Sequence, residues 1–367
     1  MPTQSNRFWP VCDLHCDTVL ELQGGADLAG NPDGHVDLPR LRKGQVGLQV
    51  FACFLPSGLP AARAHEEATR LLDVIHEQCR IHAADLRLVT TADEAERAVA
   101  SGATGVLPAI ENGHAIDGDL GNLEAFRRRG VRYMTLTHAR HLPWAASSGE
   151  EWTGAHGLTA FGEDVVREMD RLGIIVDVSH VHERTFWDVV RVARRPFIAS
   201  HSNAAALCGV PRNLTDDQIR AVADSGGLIG VNFFPGFLDP GYFPSLGSSL
   251  SDLFEALERA ELAYVDDPPR KMAAVRSLSA SMRERAGEPK ADIEMIVDHV
   301  EHITCLAGED HVGFGSDFDG IPQAPRDAPD CAAFPRILDR LAARGFSHRS
   351  LRKIAWENFL RVLRATD

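Results

Sequence analysis

What most constrains this chain is a rhythm: short apolar runs, each followed by a stretch with helical spacing, recur along nearly its whole length. Runs at 11–18, 45–55, 86–89, 105–110, 131–137, 174–179, 197–200, 228–234 and 312–316 are dominated by aliphatic and aromatic residues and read as buried strands. Helical spacing follows at 61–84, 120–129, 161–172, 183–193, 215–225 and 292–307, and helices at about 332–344 and 348–363 finish the chain. Thr91 with Glu94 three residues on is a capping-box start for one more helix. Strands that are apolar throughout, rather than alternating, belong to a parallel sheet covered on both faces. About eight such units predict a closed (β/α)8 barrel rather than an open sheet. No GxGxxG turn follows the first strand, which counts against a dinucleotide-binding arrangement. The pattern breaks at 235–289, rich in Gly, Pro and Ser before turning charged. It is expected to be an inserted excursion with one or two helices, a candidate lid, within a single domain spanning 1–367.

The residues able to do chemistry fall at the ends of these runs. His15 and Asp17, Glu111, His138, His180, His201 and Asp317 each close, or directly follow, a separate predicted strand. In a barrel those C-terminal ends converge on one face, where catalytic groups sit. Side chains two apart on a strand share a side, so His15 and Asp17 aim an imidazole and a carboxylate at one point, with Cys16 turned away. That pair suits zinc or a similar divalent ion. A single histidine at a strand end is usually a packed polar residue; six strands ending this way point to a site. Some two-metal hydrolases bridge their ions with a carbamylated lysine, but the four lysines here, at 43, 271, 290 and 353, follow no strand-like run. A bridge must therefore be a carboxylate, and Glu111 directly closes an apolar strand.

The formal charge of −14 and the absence of a Lys/Arg cluster exclude a phosphate-backbone partner, so no nucleic acid is expected. No apolar run reaches the roughly 20 residues of a membrane span. Residues 1–10 lack the basic and apolar regions of a signal peptide, and seven scattered cysteines read as reduced thiols. A cytoplasmic location with a small-molecule substrate is the expectation.

Several segments together carry a specific resemblance: DLHCDT at 13–18, IENGHAID at 110–117, YMTLTHARHLPWA at 133–145, IVDVSHV at 175–181, PFIASHSNA at 196–204, PRN at 211–213 and VGFGSDFDG at 312–320. From Asp13 to about Leu363 the chain resembles the membrane (renal) dipeptidase family of zinc peptidases, within the metal-dependent amidohydrolase superfamily. The resemblance implies two Zn2+ ions. His15 and Asp17 would bind one, His180 and His201 the other, and Glu111 would bridge both beside a shared water or hydroxide. It further implies Asp317 as general base and acid, His138 at the substrate carbonyl oxygen, and Arg212 on the substrate's C-terminal carboxylate. The family's supporting tyrosine corresponds to Phe237, which lacks the hydroxyl and puts the C-terminal preference in question. The implied activity is hydrolysis of dipeptides, L-L and also L-D, with β-lactam-like amides as further candidates and a homodimer as the implied assembly.

Neighbouring residues compete for some roles. Asp319 could rival Asp317, and His141 could rival His138. Asp13 and Asp177 are candidates for carboxylates that orient imidazoles. Trp144, His156 and Phe234 are candidate pocket residues. His65, His76 and His82 read as an outer helix, and His299 and His302 as a solvated helix face. Two other functions fit the sequence less well. A deaminase or lactonase on the same barrel conflicts with the missing HxH in the first strand and with the lysine inventory. A non-catalytic metal-binding protein conflicts with the retention of every main site position.

Overall fold

The computed structural model describes residues 9–154, 157–246 and 250–367, with the side chains of 250–254 outside that description. Nine parallel strands are present: β1 (Val11–Cys16), β2 (Val46–Phe54), β3 (Leu86–Leu88), β4 (Thr104–Glu111), β5 (Tyr133–Thr135), β6 (Ile175–Asp177), β7 (Ile198–Ala199), β8 (Leu228–Val231) and β9 (Val312–Phe314). Neighbours run β2-β1-β9-β8-β7-β6-β5-β4, and β2 also pairs with β4, which closes a ring of eight. The short β3 lies outside the ring, pairing with Thr104 to Val106 at the start of β4. This is the expected (β/α)8 barrel, and the ninth apolar run is an appendage to it.

Pro108 fits inside β4 for a local reason. On one edge, β4 pairs with β3 through residues 104–106 and with β5 through residues 109–111. Pro108 falls in the gap between those partners, with its carbonyl accepting from Arg132 N, so its missing N–H costs no ladder bond.

Two apolar layers hold the barrel. Inside, Leu14, Leu48, Val50, Leu107, Tyr133, Ile175, Ile198 and Leu228 form one cluster, joined by Trp356, Phe359 and Leu363 from the C-terminal helices. Outside, the opposite faces of the strands pack against the helix layer, including Leu71 and Leu72 of the helix Ala61–Ile81 and Phe186 of the helix Glu183–Val192. The capping box expected at Thr91 is present: its hydroxyl accepts from Glu94 N while the Glu94 carboxylate accepts from Thr91 N. The ring is tight around Ser200, where a Cβ on Gly230 would lie 2.1 Å, and one on Gly315 1.8 Å, from the Ser200 carbonyl oxygen. Only glycine lets β7, β8 and β9 approach there.

Across 235–289 the described residues form four helical segments, Pro235–Leu238, Tyr242–Leu246, Leu250–Ala263 and Pro268–Ala286, more helix than the sequence suggests. The last is fixed to the barrel layer through buried Lys271. Its ammonium donates to Gln23 Oε1 and lies 3.5 Å from Glu67 Oε1. Arg276 of the same helix pairs with Glu21.

Candidate metal centre

Shortly after several of these strands the backbone turns left-handed. Asn112 (φ 90°), His180 (φ 65°) and Asp317 (φ 64°) each depart from the extended conformation just past β4, β6 and β9. Such conformations cost a non-glycine residue of order 1 kcal/mol and are held only where surrounding structure compensates. Here they turn side chains over the mouth of the barrel. On β1 the register slips between Asp13 and Cys16, and His15 and Asp17 reach the same region from the strand end.

The side chains converge on Glu111. Its Oε1 lies 3.1 Å from His180 Nε2 and 3.3 Å from His201 Nε2. Its Oε2 lies 3.5 Å from His15 Nε2, which is 3.7 Å from Asp17 Oδ2. His180 Nε2 and His201 Nε2 stand 2.9 Å apart. Two imidazole nitrogens bound at about 2.0–2.1 Å to one tetrahedral ion would be separated by roughly 3.3 Å, so the pair is spaced much as two ligands of one ion would be. Three overlapping groups have ligand atoms within 4.8 Å of one another: His15 with Glu111 and His201, Glu111 with His138 and His180, and His15 with Asp17 and Asp317.

The residues fit divalent cations. His15 Nε2 and Asp17 Oδ1 are buried and have no hydrogen-bond partner among the described residues, an arrangement that is costly unless something else satisfies them. The donors are imidazole and carboxylate, which suits zinc and its neighbours. No thiolate competes: burial pushes the Cys12 and Cys16 thiols well above the ordinary range, and they donate to the carbonyls of Trp356 and Val50.

Electrostatics tell the same story. Burial would raise Glu111, yet the imidazoles around it, His15 foremost, hold it well below the usual carboxylate range. Burial drives Asp17 up to about 7, with Glu111 and Asp317 adding to the rise. His15 moves the other way: burial opposes a proton on it, but Tyr133, Glu111 and Asp17 carry it well above an ordinary histidine. Burial holds His180 and His201 well below. The cup is thus a strongly anionic, desolvated field, the kind a dication neutralises.

Asp317 lies beside this group. Its Oδ2 accepts from Asn232 Nδ2 at 2.9 Å, and burial, reinforced by Glu111, raises it to about 6. Asp319 is not a rival, since its carboxylate accepts from the Thr18 hydroxyl and from His35 N, pinning the loop after β1. His138 packs its ring against His180, with centroids 4.3 Å apart, and edge-on to Phe54 at 4.6 Å. Burial lowers its pKa, favouring the neutral ring. His141 is turned away: its Nδ1 accepts from Ser147 N, and its Nε2 lies 3.0 Å from Glu151 O.

Arg212 enters from the loop after β7. Its guanidinium donates to Ser202 Oγ at 2.8 Å and to His201 O at 2.9 Å, leaving the buried Nε–H and two further N–H bonds open. Its Cζ sits 5.5 Å from the centre of the Phe237 ring, which supports the guanidinium through its π face.

Some expectations need correction. His299 is not on a solvated face: it is 1% exposed, and its Nδ1 accepts from Ala204 N, tying the loop after His201 to the helix Ile293–Ala307. The apolar side of that helix simply extends to include an imidazole with a backbone partner. His302 does face outward and pairs with Asp216 at 2.8 Å. Asp13 touches no imidazole, and instead accepts from Ser316 and Gln49. Asp177 reaches His201 only through Ser200. Trp144 is buried against Phe161, and Phe234 belongs to an aromatic cluster with Phe237 and Tyr242. His156 lies outside the described residues. Sequence reasoning missed Tyr133, Ser200 and Asn232, the residues that touch His15, His201 and Asp317. The available signal was a hydroxyl or amide inside, or directly bordering, an otherwise apolar strand.

Comparison with known proteins agrees with this geometry. The family model for membrane dipeptidase, peptidase family M19, matches residues 6–367. An uncharacterized dipeptidase of Schizosaccharomyces pombe is 30% identical over 354 residues, covering 93% of this chain and 74% of that protein. Mouse dipeptidase 3 is 28% identical over 372 residues, covering 98% of this chain; the chain spans 65% of its length, slightly under two thirds. Among solved structures, the M19 metallopeptidase dipeptidase AC matches with a TM-score of 0.80 at 28% identity, covering 98% of this chain and 99% of that one. A Rhodobacter sphaeroides metallopeptidase, bound to a phosphinate mimic of the dipeptide L-Ala-D-Ala, matches with a TM-score of 0.80 at 27% identity, covering 98% and 100%. A barrel whose strand ends gather imidazoles and acids around one glutamate, matched over nearly its whole length by these relatives, belongs to the membrane dipeptidase family of metallopeptidases, M19.

Proposed function

We propose that this protein is a two-zinc dipeptidase that hydrolyses the amide bond of dipeptides carrying a free C-terminal carboxylate, with L-L and L-D substrates both accepted. The observation that carries the reading is the division of Glu111: one carboxylate oxygen faces His180 and His201, the other faces His15. A carboxylate so shared could serve two cations, one that would be held with His15 and Asp17 and the other with His180 and His201. Divalent ions held by these residues would supply an activated water at neutral pH and polarisation of the substrate carbonyl.

The chain's own residues supply the rest. Asp317, held by Asn232, takes a proton from the attacking water and delivers it to the departing amine. A carboxyl raised to about 6 can serve both steps near neutral pH. His138 donates toward the carbonyl oxygen as negative charge develops on it. Arg212 uses its open N–H bonds on the substrate carboxylate. Acceptance of a C-terminal D-residue is supported by the L-Ala-D-Ala mimic bound to the Rhodobacter sphaeroides relative. A cytoplasmic setting fits seven unpaired cysteines, five of them buried, and a homodimer remains part of the family-based reading.

The test is a zinc-loaded assay over L-L, L-D and N-acyl substrates, with and without a terminal carboxylate, alongside elemental analysis. About two metal equivalents and release of free amino acids are expected. Turnover that survives exhaustive chelation would refute the proposal.

A further inference from the structure

Two of the imidazoles at the centre make a hydrogen bond through Nδ1, on the side away from Glu111, and the two bonds are built differently. Behind His15, the Tyr133 hydroxyl is 2.8 Å from Nδ1 and 2.9 Å from the Leu14 carbonyl oxygen. The carbonyl can only accept. The phenol's single proton therefore goes to Leu14 O, and its oxygen is left to accept from His15 Nδ1–H, the one arrangement that satisfies both contacts.

Behind His201, Ser200 Oγ is 2.7 Å from Nδ1 and 2.6 Å from Asp177 Oδ2. Asp177 also accepts from Thr135 Oγ1, Ser179 N and Ser200 N, so every partner around it is a donor. The serine proton is committed to Asp177, and its oxygen accepts from His201 Nδ1–H. Tyr133, Asp177 and Ser200 are all 0% exposed, so water does not compete for these bonds.

We propose that Tyr133 and the Ser200–Asp177 pair are positioning residues. They hold the Nδ1 proton of His15 and His201 and thereby present each Nε2 lone pair to its own cation, Tyr133 serving the position of His15 and Asp17, and Ser200 that of His180 and His201. In the opposite tautomer Nε2 would carry a hydrogen into the cup and could bind no metal. The relays also fix each ring's rotation, which matters because the His15 and His201 rings lie 3.8 Å apart, centre to centre, and neither can turn freely. Partners of this kind are typically worth roughly 10–100-fold in metal affinity when removed. The inference rests on the two-cation reading above.

A chelator titration of the zinc-loaded protein, followed by elemental analysis and a zinc indicator dye, tests it with Tyr133→Phe and Ser200→Ala. Wild-type release defines two equivalents, each with its own apparent affinity. Tyr133→Phe is expected to weaken one of them roughly 10–100-fold and Ser200→Ala the other. Thermal melts of the fully chelated proteins give the control: a positioning role leaves the chelated midpoint near wild type while reducing the rise on adding zinc. Tyr133→Phe deletes one oxygen and keeps the ring, so it remains decisive if Ser200→Ala folds poorly. Unchanged affinity at both equivalents in Tyr133→Phe would overturn the inference, as would equal weakening of both. A wild-type protein that binds no divalent cation would instead sink the metal-centre reading itself.

Discussion

Individual side chains decide the chemistry, and two of them give sharp tests. Asp317→Asn keeps the size of the side chain but cannot take up a proton. It is expected to lower kcat by roughly 10²–10⁴ while metal content, measured on the purified variant, stays at the wild-type level. Wild-type turnover in that variant would remove Asp317 from its proposed role. His299 gives a stability test away from the centre. Burial drops it to about 4. Its folded-state pKa thus lies below the unfolded value of about 6.5, so its contribution is complete above pH 6.5 and is lost as pH falls toward 4. The full difference corresponds to about 3 kcal/mol. His299→Gln, whose amide oxygen can still accept from Ala204 N, is expected to flatten that part of the acid limb. Identical stability-versus-pH curves for the two proteins would contradict the account.

At the scale of elements, the helix Pro268–Ala286 is anchored by Lys271, 3% exposed, against Glu67, 1% exposed. Removing one partner of a buried pair strands the other, so Lys271→Ala is expected to destabilise by about 3–5 kcal/mol. Limited proteolysis should then cut first within 235–289, and cleavage elsewhere at the wild-type rate would argue against the anchor. Thr91→Ala breaks the capping box on the outer helix Ala92–Ala100. A loss of about 1 kcal/mol with unchanged turnover is expected from denaturant unfolding and a dipeptide assay. Element type was readable because nine apolar runs and their intervening helices have different periods. Strand ends were not: the apolar run continues to 179, yet β6 stops at Asp177, and His180 then adopts positive φ. Nothing in residue identity announces a left-handed histidine.

For the molecule as a whole, the proposed metal binding would be coupled to folding, since the candidate ligands come from β1 and from the ends of β4, β6 and β7. Zinc held at 100 times its dissociation constant should add about 2.7 kcal/mol per independent site, so chelation is expected to lower the Tm reversibly and readdition to restore it. A Tm indifferent to zinc would mean that these strand ends do not share an ion.

Much of the protein is legible in the order of its residues. The alternation of buried strands with amphipathic helices dictates a parallel barrel, and the acids and histidines at the strand ends mark its working face, because both are local patterns of hydrophobicity and position. What folding alone settled is how those groups meet. Which oxygen of Glu111 faces which imidazole, why Asp317 is held by Asn232 at the cup while Asp319 is occupied by Thr18 and His35, and what stands behind His15 and His201 all depend on residues far apart in sequence. Such contacts are fixed by ring closure and by glycines that let backbones touch. Neither leaves a periodic trace along the chain.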